Sequence, residues 1–136
     1  MTGLTNSMFA RPPVYVRRCD LGELWRIAAA ARRTAPEAGL FLEEFDRLSV
    51  APATSESEFV RLNSSVVYKD LRTRRVRRVQ VVRPGSENAE NNEISVLSQI
   101  GGALVGLTAG AIFRWPDTDG RTRAIKVLEI TQDASS

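Results

Sequence analysis

Residues 94–113 read ISVLSQIGGALVGLTAGAIF, and the order of residue types in this stretch is the most informative pattern in the chain. A short β-favouring run ends at Leu97, and Ser98 directly after it is a preferred helix N-cap. An apolar helix then extends to Val105, and Gly106 supplies the left-handed conformation that commonly follows a helix. The stretch therefore predicts a strand, one short helix and, after the next glycine, another strand.

Strand patterns flank this stretch on both sides. Upstream, β-branched residues cluster at Val66–Tyr68 and Val76–Val82, and the polar residues between the two runs form a hairpin turn. Downstream, Asp117–Gly120 separates a strand near Trp115 from a closing strand over Ala124–Ile130. The predicted fold class is therefore α+β, with an antiparallel sheet and one short helix packed on it.

Two short amphipathic helices are predicted before the sheet. Asp20 caps the first, and Pro36 separates it from the second. Neither is long enough to be stable alone, so we expect the two to pair as an antiparallel helical hairpin. The apolar stripe of the first helix comprises Leu21, Leu24, Trp25, Ala28 and Ala31, and that of the second comprises Phe41, Phe45 and Leu48.

The change of hydrophobic period divides the chain into four predicted parts. Residues 1–19 form an N-terminal tail, residues 20–48 the helical hairpin, residues 49–60 a small and polar linker, and residues 61–136 the sheet domain. A chain of 136 residues is long enough for one such domain with a small appendage.

The composition excludes several kinds of chemistry. The chain has no histidine and one cysteine, Cys19, so it can form neither an internal disulfide nor a histidine-based catalytic pair nor a Cys/His zinc site. No apolar run approaches the roughly 20 residues that span a membrane, and no signal-peptide pattern is present. We therefore expect a cytoplasmic protein without a metal, a cofactor or a small-molecule substrate.

Positive charge is concentrated in the second part of the chain. Residues 61–136 carry twelve Lys/Arg and eight Asp/Glu, whereas residues 1–60 carry seven and eight. An arginine cluster at the first hairpin fits a contact with nucleic acid or with an acidic protein surface. It fits better a solvated hairpin whose charges keep an edge strand from pairing. The cluster consists of Arg72, Arg74, Arg75, Arg77 and Arg78.

Carboxylates are concentrated in the second helix. Glu43, Glu44 and Asp46 lie next to Arg47 and favour a solvated, charged helix face over a metal site. Glu37 is the carboxylate expected near the tip of the helical hairpin.

The stretch ISVLSQIGGALVGLTAGAIF resembles the C-terminal domain shared by the Gre transcript-cleavage factors and the Rnk-type regulators of nucleoside diphosphate kinase. The family pattern is a strand, Ser-Pro, an apolar helix ending in Ala-Leu-Leu-Gly, and a Gly-Asp turn. The resemblance continues in VRLNSSVVYKDL (Val60–Leu71) and VLEI (Val127–Ile130), while Gln99 and Ala111 replace the pattern's Pro and Asp. The short hairpin with LEEFDR (Leu42–Arg47) is similar to the Rnk-type branch.

This resemblance implies an FKBP-like domain that binds RNA polymerase at the rim of its secondary channel and is not itself an enzyme. In the Gre factors a pair of acidic residues at the tip of a long arm places Mg²⁺, whereas Glu37 stands alone here. The Rnk-type reading is therefore a protein that competes with Gre factors without promoting transcript cleavage. The polymerase contact that the resemblance implies comprises Val96, Leu97, Ser98, Gln99 and Ile100.

Three alternative functions remain open from the sequence. The first is a Gre-type elongation factor, which the family resemblance allows. The second is an enzyme of the prolyl isomerase type, which would need an aromatic-lined pocket. The third is a nucleic-acid-binding module that uses the arginine hairpin.

Overall fold

The computed structural model describes residues 11–35, 38–52, 58–117 and 119–132. None of the helices in these ranges combines the length and the apolar character needed to cross a membrane. The elements are β1 (Tyr15–Val16), α1 (Arg18–Thr34), α2 (Gly39–Phe45), β2 (Ser49–Val50), β3 (Ser64–Asp70), β4 (Val76–Val82), a 3₁₀ turn (Ala89–Asn91), β5 (Glu93–Ser95), α3 (Gln99–Leu104), β6 (Ile112–Pro116) and β7 (Thr122–Gln132).

Five strands form one sheet in the order β5-β4-β3-β7-β6. The pairs β3–β4, β3–β7 and β6–β7 are antiparallel, and the predicted α+β class is confirmed. β5 instead pairs with β4 in parallel, from Gln80–Glu93 to Val82–Ser95. The expected antiparallel sheet thus has one parallel pair at its edge. The reason is the long loop of residues 83–92, which returns the chain toward the starting end of β4 before β5 begins. A tight turn could join β4 and β5 only as an antiparallel pair.

Glycines let α3 lie unusually close to its neighbours. The predicted cap is present, since the Oγ of Ser98 accepts a hydrogen bond from the N–H of Gly101 at 3.1 Å. A Cβ atom at Gly101 would collide with the carbonyl group of Ser95, and one at Gly102 would lie 2.7 Å from the backbone nitrogen of Phe41. α3 can therefore approach β5 on one side and α2 on the other only because both positions lack a side chain.

The hydrophobic core runs without interruption from the helices into the sheet. Leu24 and Ala28 of α1 and Phe41 of α2 belong to the same buried cluster as Phe113 of β6 and Ile125 of β7. α1 packs against α2, and α2 packs against α3. The two N-terminal helices therefore lie on the sheet domain and share its core, rather than forming a projecting arm.

α1 differs from its predicted form at its start and along its stripe. The helix begins at Arg18, so Asp20 lies in its first turn and forms an ion pair with Arg61 at 2.7 Å instead of capping. The sequence predicts Trp25 on the apolar stripe, yet it is 61% exposed. Leu24 makes the core contact, and the next residue on a helix points about 100° away from it.

The described parts of the predicted tail and linker are ordered. Tyr15–Val16 pairs in parallel with Ser49–Val50, and Val14, Phe59 and Val60 are buried. Strands of two residues carry no periodic signal, so the sequence pattern could not reveal them. The position of the domain boundary itself stays a prediction.

Glu44 corrects the prediction that α2 has a solvated acidic face. Its side chain is fully buried, and its carboxylate accepts hydrogen bonds from Arg11 at 2.6 Å and from Arg47. Arg47 also donates to the carbonyl oxygens of Arg11 and Pro12, at 3.1 Å and 2.7 Å. Glu44 lies three residues after Phe41, which places it on the apolar face of the helix. The resulting ion cluster fastens the N-terminal segment to α2.

Candidate functional site

The segment between β5 and α3 is held by its own polar side chains. The Oγ of Ser95 accepts the N–H of Leu97 at 3.0 Å, and the hydroxyl of Ser98 donates to the carbonyl oxygen of Ser95 at 2.6 Å. The Oε1 of Gln99 accepts a hydrogen bond from the guanidinium group of Arg123 on β7 at 3.0 Å. These bonds fix the segment against both the sheet and α3.

The five residues predicted to contact a partner differ in how exposed their side chains are. Val96 is fully buried in the core, so its side chain anchors the segment and is not available to a partner. Leu97, Ser98, Gln99 and Ile100 are half-buried and reach the surface. The accessible part of the predicted contact is therefore these four residues.

An apolar groove of about 460 Å³ lies between α1 and this segment. Leu97 packs against the small side chain of Ala31 and its alanine neighbours. Because these side chains are small, they leave space for a groove on the surface at this point. Glu23 and Arg83 also line the groove and form an ion pair with each other. We call it the α1 groove, and its remaining lining is Arg26, Ile27, Ala30, Ala31, Thr34, Pro84 and Leu97.

A second concavity, of about 520 Å³, lies between the β3–β4 hairpin, α3 and β7. Tyr68 and Arg77 are direct partners across the β3–β4 pair. Because side chains alternate along a strand, Asp70 and Arg75 come to the same face. We call this concavity the cationic pocket, and it is lined by Tyr68, Asp70, Thr73, Arg75, Arg77, Ile100 and Arg123.

Asp70, the carboxylate among the lining residues, is already engaged. It accepts hydrogen bonds from the backbone N–H groups of Arg72 at 2.9 Å and Thr73 at 3.3 Å, and from the guanidinium group of Arg123 at 3.3 Å. Burial alone would raise the pKa of Asp70, but the hydrogen bonds together outweigh burial and lower the pKa. Asp70 is thus ionised at neutral pH and compensates Arg123, which leaves the other two guanidinium groups of the pocket uncompensated.

All five arginines of the predicted cluster are exposed, and none has an ion-pair partner among the described residues. Arg75 and Arg77 line the cationic pocket, whereas Arg78 lies on the opposite face of β4. The other two belong to the hairpin turn. β5 covers β4 only along Gln80–Val82, so the first half of β4 is a free edge where repeated positive charge opposes pairing with another strand.

The carboxylates of the predicted acidic cluster do not form a metal site in the described part of the chain. Glu43 pairs with Arg11 at 2.8 Å, Asp46 pairs with Arg32 at 3.0 Å, and the third is the buried carboxylate described above. No three Asp, Glu or Cys side chains in the described ranges are grouped so as to hold a metal ion. Glu37, predicted at the hairpin tip, lies outside the described residues.

Comparison with known proteins gives the family. Residues 55–132, more than half of the chain, match the family model described as the C-terminal region of the transcription elongation factors GreA and GreB. This chain belongs to the GreA/GreB C-terminal family. The matched region contains β3 to β7, α3, the segment that precedes α3 and the whole cationic pocket.

Individual relatives and a solved structure agree with this assignment. The regulators of nucleoside diphosphate kinase of Escherichia coli (strain K12) and Shigella flexneri are each 30% identical over 96 residues, which are 70% of this chain and 71% of theirs. The prokaryotic transcription elongation factor GreA/GreB from Nitrosomonas europaea has the same fold. Its structure gives a TM-score of 0.64 at 23% identity and covers 87% of this chain and 98% of that one.

The aromatic residues of this GreA/GreB C-terminal domain lie in its core. Phe113 and Trp115 stack with 5.5 Å between ring centroids, and both are buried. Tyr68 is buried as well, with 5% of its surface exposed. A site for a proline ring requires open aromatic walls, so the geometry favours a binding surface over a prolyl isomerase site.

Sequence reasoning missed Arg123, which connects the two candidate surfaces of this family member. Its guanidinium group donates to Gln99 and to Asp70 and lies 5.3 Å from the ring centroid of Trp115. Its hydrogen-bond partners are 24 and 53 residues away in the chain. No local motif marks such a residue, because only the sheet brings its partners together.

Proposed function

We propose that this protein is a cytoplasmic transcription regulator that binds RNA polymerase at the entrance of the secondary channel. The contact surface is the segment Leu97–Ile100 together with the α1 groove. The observation that carries the proposal is the juxtaposition of a rigid, half-exposed segment with an apolar groove. The family match to transcription elongation factors and the curated relatives named as regulators support it.

The groove has the features of an anchor point in a protein interface. Interfaces gain most of their binding energy where one or two apolar or aromatic side chains enter a well-packed pocket, surrounded by polar groups. Leu97 and Ala30 supply apolar surface, and the Glu23–Arg83 ion pair supplies the polar surroundings. The hydrogen bonds of Ser95 and Ser98 keep the segment ordered before binding, which lowers the entropic cost of association.

Replacing Ala30 with glutamate should weaken binding to core RNA polymerase by at least about tenfold. Ala30 is exposed on α1 and lines the groove, so the larger charged side chain occupies the groove without entering the core. The measurement is the dissociation constant for core polymerase, obtained from a titration at fixed salt.

Gly22→Glu is the matched control, because it adds the same charge to an exposed position of α1 outside the groove. It should leave the dissociation constant within about twofold of the parent value. Equal affinities for Ala30→Glu and the parent protein would move the polymerase contact away from the groove, most directly to the arginine hairpin.

The second part of the proposal is that the protein does not promote transcript cleavage. Metal-assisted cleavage needs carboxylates delivered in fixed geometry to the polymerase active site. The carboxylates of Glu43, Glu44 and Asp46 are all engaged by arginines. α1 spans only about 25 Å and lies on the sheet domain, so it offers no projecting arm.

In backtracked elongation complexes with Mg²⁺, excess protein alone should leave transcript lengths unchanged. Added together with a Gre factor, it should reduce cleavage in proportion to its concentration, because both proteins would occupy the same channel entrance. The readout is the length of labelled transcripts over time. Shortening by the protein alone, abolished in Glu37→Ala, would show that the protein is catalytically competent.

A further inference from the structure

The cationic pocket contains hydrogen-bond donors and positive charge that the described chain does not use. Arg75 and Arg77 are exposed and have no ion-pair partner among the described residues. The hydroxyl group of Tyr68 makes no hydrogen bond to another described residue. Burial raises the pKa of Tyr68 although Arg77 and Arg123 oppose the rise, so the hydroxyl remains a donor at neutral pH.

The charge of the pocket fits a dianion better than a monoanion. Three guanidinium groups and the carboxylate of Asp70 line it, which leaves two positive charges in excess. A phosphate monoester carries a charge of about −1.5 to −2 at pH 7 and presents three acceptor oxygens, whereas a carboxylate carries one charge on two oxygens. Guanidinium groups bind phosphate oxygens through paired N–H donors.

We propose that the cationic pocket binds the terminal phosphate group of a phosphorylated small molecule. Arg75 and Arg77 hold the phosphate oxygens, and the hydroxyl of Tyr68 donates to one of them. Arg123 stays fixed by Asp70 and Gln99 and closes the side of the pocket next to β7. The volume of about 520 Å³ exceeds that of phosphate alone, and Ile100 supplies an apolar wall for the organic part of the ligand. This site does not depend on polymerase binding.

The test is a ¹H–¹⁵N NMR titration of the full chain with inorganic phosphate, pyrophosphate and ribose 5-phosphate at constant ionic strength. We expect saturable shifts of the backbone amides of Thr73, Arg75, Arg77 and Ile100. Arg77→Gln should weaken binding of each probe by at least about tenfold. Arg78→Gln removes the same charge from the opposite face of β4 and should change the affinity by less than about twofold.

Four results would overturn the proposal. The first is the absence of saturable shifts with all three phosphate probes. The second is an equal loss of affinity in Arg77→Gln and Arg78→Gln, which would indicate general attraction to a basic surface. The third is binding of acetate or succinate as tight as that of phosphate. The fourth is much tighter binding of a 5′-phosphorylated oligonucleotide than of ribose 5-phosphate, which would show that the bound phosphate group belongs to a nucleic acid rather than to a small molecule. Both side chains are exposed, so we expect both variants to unfold at the same temperature as the parent protein. Any loss of phosphate affinity then results from the change in the pocket and not from unfolding.

Discussion

Replacing Gly101 with alanine should lower the free energy of unfolding by about 3 kcal/mol or more. The added Cβ would collide with the carbonyl group of Ser95 and lie 2.9 Å from the Cα atom of Val96. Both are backbone atoms, so no side-chain rotation relieves the contact, and α3 would have to move away from β5. That movement would disturb the cap of Ser98 and the half-exposed segment before it. The measurement is urea-induced unfolding followed by circular dichroism.

Gly22→Ala is the matched control for this substitution. Gly22 is an exposed residue of α1, and a Cβ atom there would have no other atom within 4 Å. Alanine has a higher helix propensity than glycine, so this variant should be more stable by about 1 kcal/mol. If Gly101→Ala were as stable as the parent protein, α3 and β5 would not be packed as closely as the structure shows.

Replacing Glu44 with glutamine should reduce stability by about 3 kcal/mol and the melting temperature by roughly 10 °C. The carboxylate is fully buried and accepts hydrogen bonds from Arg11 and Arg47. An amide cannot neutralise either guanidinium group, and its NH₂ group would face their donors. Arg11 also lies 5.4 Å from the ring centroid of Phe113, so its displacement would loosen the edge of the core.

Glu43→Gln provides the comparison, because Glu43 is the next residue and also pairs with Arg11 but has a side chain that is 59% exposed. Surface ion pairs contribute little, so its loss should cost less than about 1 kcal/mol. Differential scanning calorimetry of both variants gives the melting temperatures that distinguish the loss of a buried carboxylate from the loss of an exposed one. Similar melting temperatures for Glu44→Gln and Glu43→Gln would mean that the buried cluster does not hold the N-terminal segment.

The parts of the fold that local chemistry specifies could be predicted from the sequence. Ser98 followed by an apolar run marked the start of α3, and the turn between β3 and β4 was evident from polar residues between two valine-rich runs. The close approach of α3 to Ser95 and Phe41, which Gly101 and Gly102 allow, needed the structure. The family followed from several separated motifs in the correct order, and the family match confirms it.

The remaining features depend on contacts between distant parts of the chain. Helical spacing identifies an apolar stripe but not how much of the stripe a neighbouring element covers, so it does not show that Trp25 is exposed. The prediction of a solvated Glu44 is wrong, because its partner Arg11 precedes it by 33 residues and no local pattern connects the two. In the candidate site, the arginines and the Leu97–Ile100 segment were named from the sequence. Their separation into two concavities, with Arg123 between Gln99 and Asp70, required the structure.

The central position of β7 has a consequence for protein synthesis. β7 (Thr122–Gln132) lies between β3 and β6, and it is the last of the described strands to leave the ribosome. Until it emerges, β3 has an unpaired edge and β6 has no partner in the sheet, and such open edges promote aggregation of nascent chains. A premature stop codon before residue 122 would therefore yield an aggregation-prone chain that chaperones and proteases must clear, rather than a shorter but folded protein.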